Sequence, residues 1–190
     1  MRTFIAVELP EPIRAALTDV SARLAESQAD VKWVEAQNLH VTMRFLGEMS
    51  EKPLEAIRAR LEAIGRATPA CEAQLSAPGA FPSMRSPRVI WMGIGAGAEA
   101  LARVAAQIEE ELRVLGVAPE ARAFVAHVTL GRVRSSRLLD QLSSRLTEAS
   151  WSPPGPFVVD HVTLFESRLS SAGPAYVPLA RLPLTGTQAR

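Results

Sequence analysis

Each of the chain's three histidines, His40, His127 and His161, is followed by Val and then Thr. That tripeptide constrains the fold more than any other feature. Side chains at i and i+2 share one face of a strand, and Val and Thr both favour strands. Each copy therefore sets an imidazole beside a hydroxyl and turns its Val to the opposite face. Two copies have flanks like half-sites of one centre, LHVTMRFLG at 39–47 and AHVTLGRV at 126–133. One lies in each half of the chain, which implies two pseudo-symmetric lobes. The third copy, DHVTLFES at 160–167, has different flanks.

Around these strands the patterning alternates between the two periodicities. Residues 2–9 read as a buried strand that Pro10 ends. Ile13, Leu17, Val20 and Leu24 mark a helix over 11–27, and Leu54, Ile57, Leu61 and Ile64 a second one opened by Ser50 and Pro53. Strands are expected at VKWV and 38–47, then at 71–81 and 87–94 joined by the turn-rich PSMRS. A helix over 98–116 stopped by Gly116, a strand over 122–133 and a helix over 135–149 with Ser135 as its cap come next. After SPPGP, strands over 157–169 and 176–184 close the chain, and the polar tail is expected to fray. Many neighbouring strands have connections too short for a parallel crossover. The expected class is α+β: mainly antiparallel sheet in two lobes with outer helices and a cleft between them. Residues 1–190 are expected to form one domain, one lobe carrying His40 and the other His127.

Composition narrows the function classes. Hydrophobic residues at 47% and charged residues at 22% fit a globular protein. A net charge of +1 gives no general footprint for nucleic acid, so any grip on RNA would be local. Lys32 and Lys52 are the only lysines. The many arginines suit phosphate oxygens, and base composition of the genome explains them equally well. A single cysteine, Cys71, excludes an internal disulfide and fits a reducing cytoplasm. No apolar stretch is long enough for a membrane span or signal peptide.

Two His-x-Thr units facing each other would supply a general base, a general acid and two hydroxyls for the non-bridging oxygens of a phosphate. That suits in-line displacement at phosphorus with no metal and no cofactor. Taken alone, one such unit is an ordinary half-exposed strand; the pairing is what carries the chemistry.

HVTMRFLG and HVTLGRV together resemble the two signatures of the two-histidine (2H) phosphoesterases, and more narrowly the LigT-like RNA 2′,3′-cyclic phosphodiesterases of the 2′-5′ RNA ligase family. RTFIAVELP, FPSMRSPRVIWMGI and LFESRLSSAGPAYVPL extend the resemblance along nearly the whole chain. It implies hydrolysis of a terminal cyclic phosphate to a 2′-phosphate, with His40 as proton donor and His127 as acceptor. Thr42, Thr129 and Arg132 would bind the phosphate. The implied partners are RNA 3′ ends, tRNA fragments or small nucleotides, met by a cytoplasmic monomer. Reverse ligation, a small cyclic nucleotide or a non-catalytic RNA-end module are the alternatives.

Beyond these residues, strict alternation turns Arg132 away from His127 unless Gly131 permits a bulge, and it places Arg44 on the His40 face. His161 is expected to be structural or at the rim, since the family's closing strand carries no catalytic histidine. Three histidines also raise a zinc reading, but their spacing is not that of ligands. Trp33, Phe81 and Trp91 are candidates for stacking bases, with core packing as the alternative and Phe81 as the best placed. Ser167 and Tyr176 match family positions without an assignable role.

Overall fold

The helical stripes bury as their spacing dictates. Ile13, Leu17, Val20 and Leu24 line the inner face of α1 (Glu11–Ala25), and Leu54, Ile57, Leu61 and Ile64 that of α2 (Glu51–Ala67). Helix α3 (Ala98–Val114) stops where Gly116 takes a positive φ of 76° and its N–H returns to Arg113 O at 3.0 Å. Helix α4 (Leu139–Glu148) buries Leu142 and Leu146. The computed structural model describes residues 1–148, 150–171 and 173–187. No helix among them is long and apolar enough to cross a membrane.

The strands are β1 (Arg2–Glu8), β2 (Val31–Trp33), β3 (His40–Glu48), β4 (Cys71–Ala73), β5 (Leu75–Pro82), β6 (Pro87–Ile94), β7 (His127–Val133), β8 (Phe157–Val159), β9 (His161–Ser170) and β10 (Gly173–Pro183). All their pairings are antiparallel. The main sheet runs β10-β9-β1-β3-β7-β6-β5, with β2 on the far end of β7, and β4 pairs with β8 in a separate ribbon. It divides at its centre, because the β3–β7 ladder is held by one residue pair, Val41 with Val128. One lobe holds β10, β9, β1 and β3; the other holds β7, β6, β5 and β2. The helices cross between them: α1 follows β1 yet packs on β7 and α4, while α3 follows β6 yet packs on β3 and α2.

Helices cover one face of the sheet. Ile5, Val7, Val41, Met43, Ile90, Met92, Val128 and Leu130 join the helix residues in the main core. The opposite face has its own small apolar cluster of Phe4, Ala6 and Phe165, with Tyr176 against it.

Four sequence expectations are corrected. The strand expected over 71–81 is two, since β4 leaves the main sheet to pair with β8. Residues 122–126 lie outside the ladder, so β7 begins at His127 itself. The last helix starts at Leu139 rather than after Ser135, since Leu138 has a φ of 53° that breaks the helical path; the Ala149 end of that expectation falls outside the described residues. The start of the tail is also tied down, Thr185 N–H to Gly65 O and Gly186 N–H to Thr68 O, both at 2.9 Å; residues 188–190 are not among those described.

Candidate active site

The Val41–Val128 pair sits where the lobes meet, and both side chains are fully buried on the helix side. Continuing that antiparallel register one residue each way sets His40 across from Thr129 and Thr42 across from His127. All four side chains point to the open face and are half-buried. The two rings are close enough that a charge on His127 disfavours one on His40.

Each ring is held the same way. His40 Nδ1 donates to the carbonyl of Asn38 at 2.7 Å, and His127 Nδ1 to that of Val125 at 2.6 Å, in both cases two residues upstream. Those bonds fix the tautomer with its proton on Nδ1 and leave Nε2 as the unprotonated nitrogen. His40 Nε2 meets the Thr42 hydroxyl at 3.0 Å, the two groups expected to work together. An aromatic ring stands edge-on to each imidazole at 5.3 Å, Tyr176 for His40 and Phe81 for His127. Burial is the main force lowering both imidazole pKa values below the usual histidine range, against the carbonyl bonds, which raise them. Arg132 lowers His127 further.

Matching bulges set the course of each strand beyond its motif. On β3, Thr42 pairs with Ala6 and Arg44 with Ile5, which leaves Met43 as an extra residue. On β7, Thr129 pairs with Trp91 and Gly131 with Ile90, which leaves Leu130. The residue five beyond each histidine is thereby re-aimed to the open face: exposed Arg132 on β7 and Phe45, 52% exposed, on β3. Arg132 thus reaches the His127 face, by the bulge that Gly131 permits. A Cβ on Gly131 would lie 2.7 Å from Val31 and 2.9 Å from Trp33. The same device corrects Arg44. It turns to the helix side, where Nε bonds Glu109 at 2.6 Å and the guanidinium also meets the Phe45 and Ala118 carbonyls, so it does not reach the cleft.

Phe81 and Trp91 flank His127, with centroids 5.3 and 6.0 Å away. Trp33 instead packs against the main core beside Gly131. Sequence reasoning missed Phe4, whose ring centroid is 5.0 Å from His40, and left Tyr176 without a role. The tyrosine lies opposite Ser167 on the next strand.

The third motif is built differently. His161 Nε2 is 3.0 Å from Glu8 Oε2 and its Nδ1 2.6 Å from Asp160 Oδ1. Thr163 donates to the same Glu8 oxygen at 2.7 Å, and Arg181 forks onto the carboxylate at 2.8 and 3.0 Å. Led by the Arg181 bonds and opposed by partial burial, this clasp lowers the Glu8 pKa to about 2. Glu8 pairs directly with His40 across β1 and β3, so His161 stands beside the site rather than in it. Among the described residues no three His, Cys, Asp or Glu side chains gather where they could hold a metal ion.

The 2′-5′ RNA ligase superfamily model matches residues 9–170. Among curated relatives, an RNA 2′,3′-cyclic phosphodiesterase of Methanothermobacter thermautotrophicus is 32% identical over 94% of this chain and 96% of its own length. One from Aeropyrum pernix is 36% identical over 82% and 88%. A crystal structure from Thermus thermophilus superposes with a TM-score of 0.82 at 27% identity, covering 99% of this chain and 100% of that one. E. coli LigT complexed with NADP+ gives 0.75 at 29% identity, with 97% of each chain covered. The chain belongs to the 2′-5′ RNA ligase superfamily, among its LigT-like two-histidine phosphoesterases.

Proposed function

We propose that this chain is a metal-independent RNA 2′,3′-cyclic phosphodiesterase that opens a terminal cyclic phosphate to a 2′-phosphate. One observation carries the reading: two His-x-Thr units face each other across the Val41–Val128 pair, each with Nε2 free of its structural hydrogen bond. The relatives' names supply the substrate class.

The roles follow from charge and from the family resemblance. In the free protein both imidazoles favour the neutral form, because both are desolvated. A bound phosphate anion lets the pair hold one proton; burial disfavours it on both rings and Arg132 disfavours it on His127 as well, and we assign it to His40, the role that the family resemblance implies. His127 Nε2 then takes a proton from water as the water oxygen bonds to phosphorus. The bond from phosphorus to the 3′ oxygen breaks, and His40 Nε2 protonates that oxygen. The Thr42 and Thr129 hydroxyls and the Arg132 guanidinium hold the non-bridging oxygens. The two lobes act as one domain and one monomer, on RNA 3′ ends such as tRNA fragments, in the cytoplasm.

A substrate with sulfur in place of the 3′ oxygen tests the roles, since a thiolate leaves without protonation. It should restore much of the turnover of His40→Ala and none of that of His127→Ala; rescue of His127→Ala alone would reverse the assignment. Binding of the cyclic-phosphate oligonucleotide without any 2′-phosphate product would instead mark an RNA-end binding module.

A further inference from the structure

A pocket of about 140 Å³ opens beside His40, walled mainly by β1, β9, β10 and the segment leading into β3, and by no residue of β7. Phe165, Tyr176 and Pro178 give it flat apolar walls; Glu8, Asn38, Gln37 and Arg14 give it polar ones. It is smaller than the roughly 300 Å³ at which drug-sized sites begin, and it suits one flat heterocycle.

In-line displacement dictates what lies there. Water attacks phosphorus from the side opposite the departing 3′ oxygen. With the water at His127 and the leaving oxygen at His40, the ribose and its base extend past His40, into the lobe that holds this pocket. The inference therefore rests on the acid and base roles proposed above. Inside, Glu8 has capacity to spare on one side only. Its Oε2 is taken by Thr163, His161 and Arg181, whereas among the described residues Oε1 accepts a single bond, from Arg181 at 3.0 Å. A carboxylate oxygen with an unused lone pair accepts from an amino group. The tyrosine that stands edge-on to His40 lines the same pocket, so a base resting there would also fix the ribose relative to the proton donor.

We propose that this pocket is the subsite for the terminal nucleobase, taking the ring against Tyr176 and Phe165 and selecting, through Glu8 Oε1, bases that carry an exocyclic amino group. Adenine, cytosine and guanine carry one and uracil does not.

The test compares kcat/KM on short RNAs ending in each of the four bases, or in an abasic ribose, all bearing a 2′,3′-cyclic phosphate. The intact protein should favour base-bearing ends over the abasic end by about tenfold to a hundredfold, the range of one stacked base. It should favour amino-bearing ends over uridine by about tenfold. Glu8→Gln should shrink the uridine discrimination, and Tyr176→Ala the abasic discrimination. Each readout is a ratio between substrates, so a variant that merely loses activity loses it on all of them and leaves the ratios alone. Equal rates on all five substrates by the intact protein, or ratios unmoved in both variants, would overturn the subsite. Should either variant fail to fold, Phe165→Leu takes its place and the five-substrate comparison on the intact protein still decides. Absence of turnover on every substrate would sink the phosphodiesterase reading itself, a different failure.

Discussion

The His-x-Thr unit on β9 and the pair on β3 and β7 use the same side chains for opposite ends. On β9 the imidazole and hydroxyl close on Glu8, a carboxylate supplied by the neighbouring strand, and Arg181 completes the clasp. On β3 the same Glu8 lies directly across from His40, but its carboxylate is bonded to His161, Thr163 and Arg181; His40 instead meets Thr42, His127 meets a backbone carbonyl, and each ring keeps an aromatic edge beside it. On the function proposed above, the unit is an anion clamp in all three places. The third copy is filled by the protein itself, and the first two stand open to an anion from outside. What decides between the first and third copies is which way the shared Glu8 carboxylate turns.

The sharpest way to break this contrast is to remove each histidine in turn. His40→Ala and His127→Ala should each lower turnover of a 2′,3′-cyclic-phosphate oligonucleotide by about a hundredfold to ten-thousandfold, the range of a lost general acid or base. Both variants should keep their circular dichroism and melting behaviour, since neither ring supports the core. The double variant should be little worse than either single one, because the two act as a unit. Near wild-type turnover in either single variant would end the pairing.

Arg132 comes next. It stands at the same place on β7 as Phe45 on β3, and the bulges at Leu130 and Met43 turn both to the open face. Arg132→Ala should cost about tenfold to a hundredfold in kcat/KM, the scale of a charge-assisted bond to phosphate, and Arg132→Lys should recover only part of it. Full activity in Arg132→Ala would mean that the two threonines hold the phosphate alone.

Those bulges also mark where the sequence stops being readable. Alternation put His40, Thr42, His127 and Thr129 on one face correctly, because the strands are regular from each histidine to its threonine. It then ran through Met43 as if no residue were extra, which put Arg44 on the His40 face; the structure turns Arg44 to the helix side and leaves Phe45 exposed on the open face. Nothing local to β3 signals its bulge, whereas Gly131 signals the one on β7. The helices were legible from their apolar stripes, which depend on spacing alone. That α1 and α3 each pack on the lobe opposite the strand they follow is a tertiary fact with no local cue. Nor could Glu8 be found, since its importance lies in partners more than 150 residues away along the chain.

The clasp on Glu8 should appear in stability rather than in chemistry. A carboxyl depressed to about 2 from an ordinary 4.5 adds stability that is complete above 4.5 and lost as the pH falls through about 2. Arg181 is largely exposed, so solvent screening trims the effect to about 1–3 kcal/mol. Glu8→Gln should be destabilised by that amount in urea at pH 7, and its curve should converge on that of the intact protein near pH 2. An equal gap at both pH values would show that packing and not charge holds the clasp.

The smallest effect should be that of His161→Ala on turnover. Thr163 and Arg181 still hold the carboxylate when the imidazole is gone, and the ring lies across β1 from His40 with its own Nε2 turned to Glu8. Turnover should stay within about threefold of the intact protein, the scale of a small change in position rather than a lost proton transfer. The loss should appear in KM rather than kcat, because what shifts is Glu8, a wall of the pocket beside His40. A fall in kcat by a hundredfold would put a third histidine into the chemistry and erase the distinction between the filled clamp and the open pair.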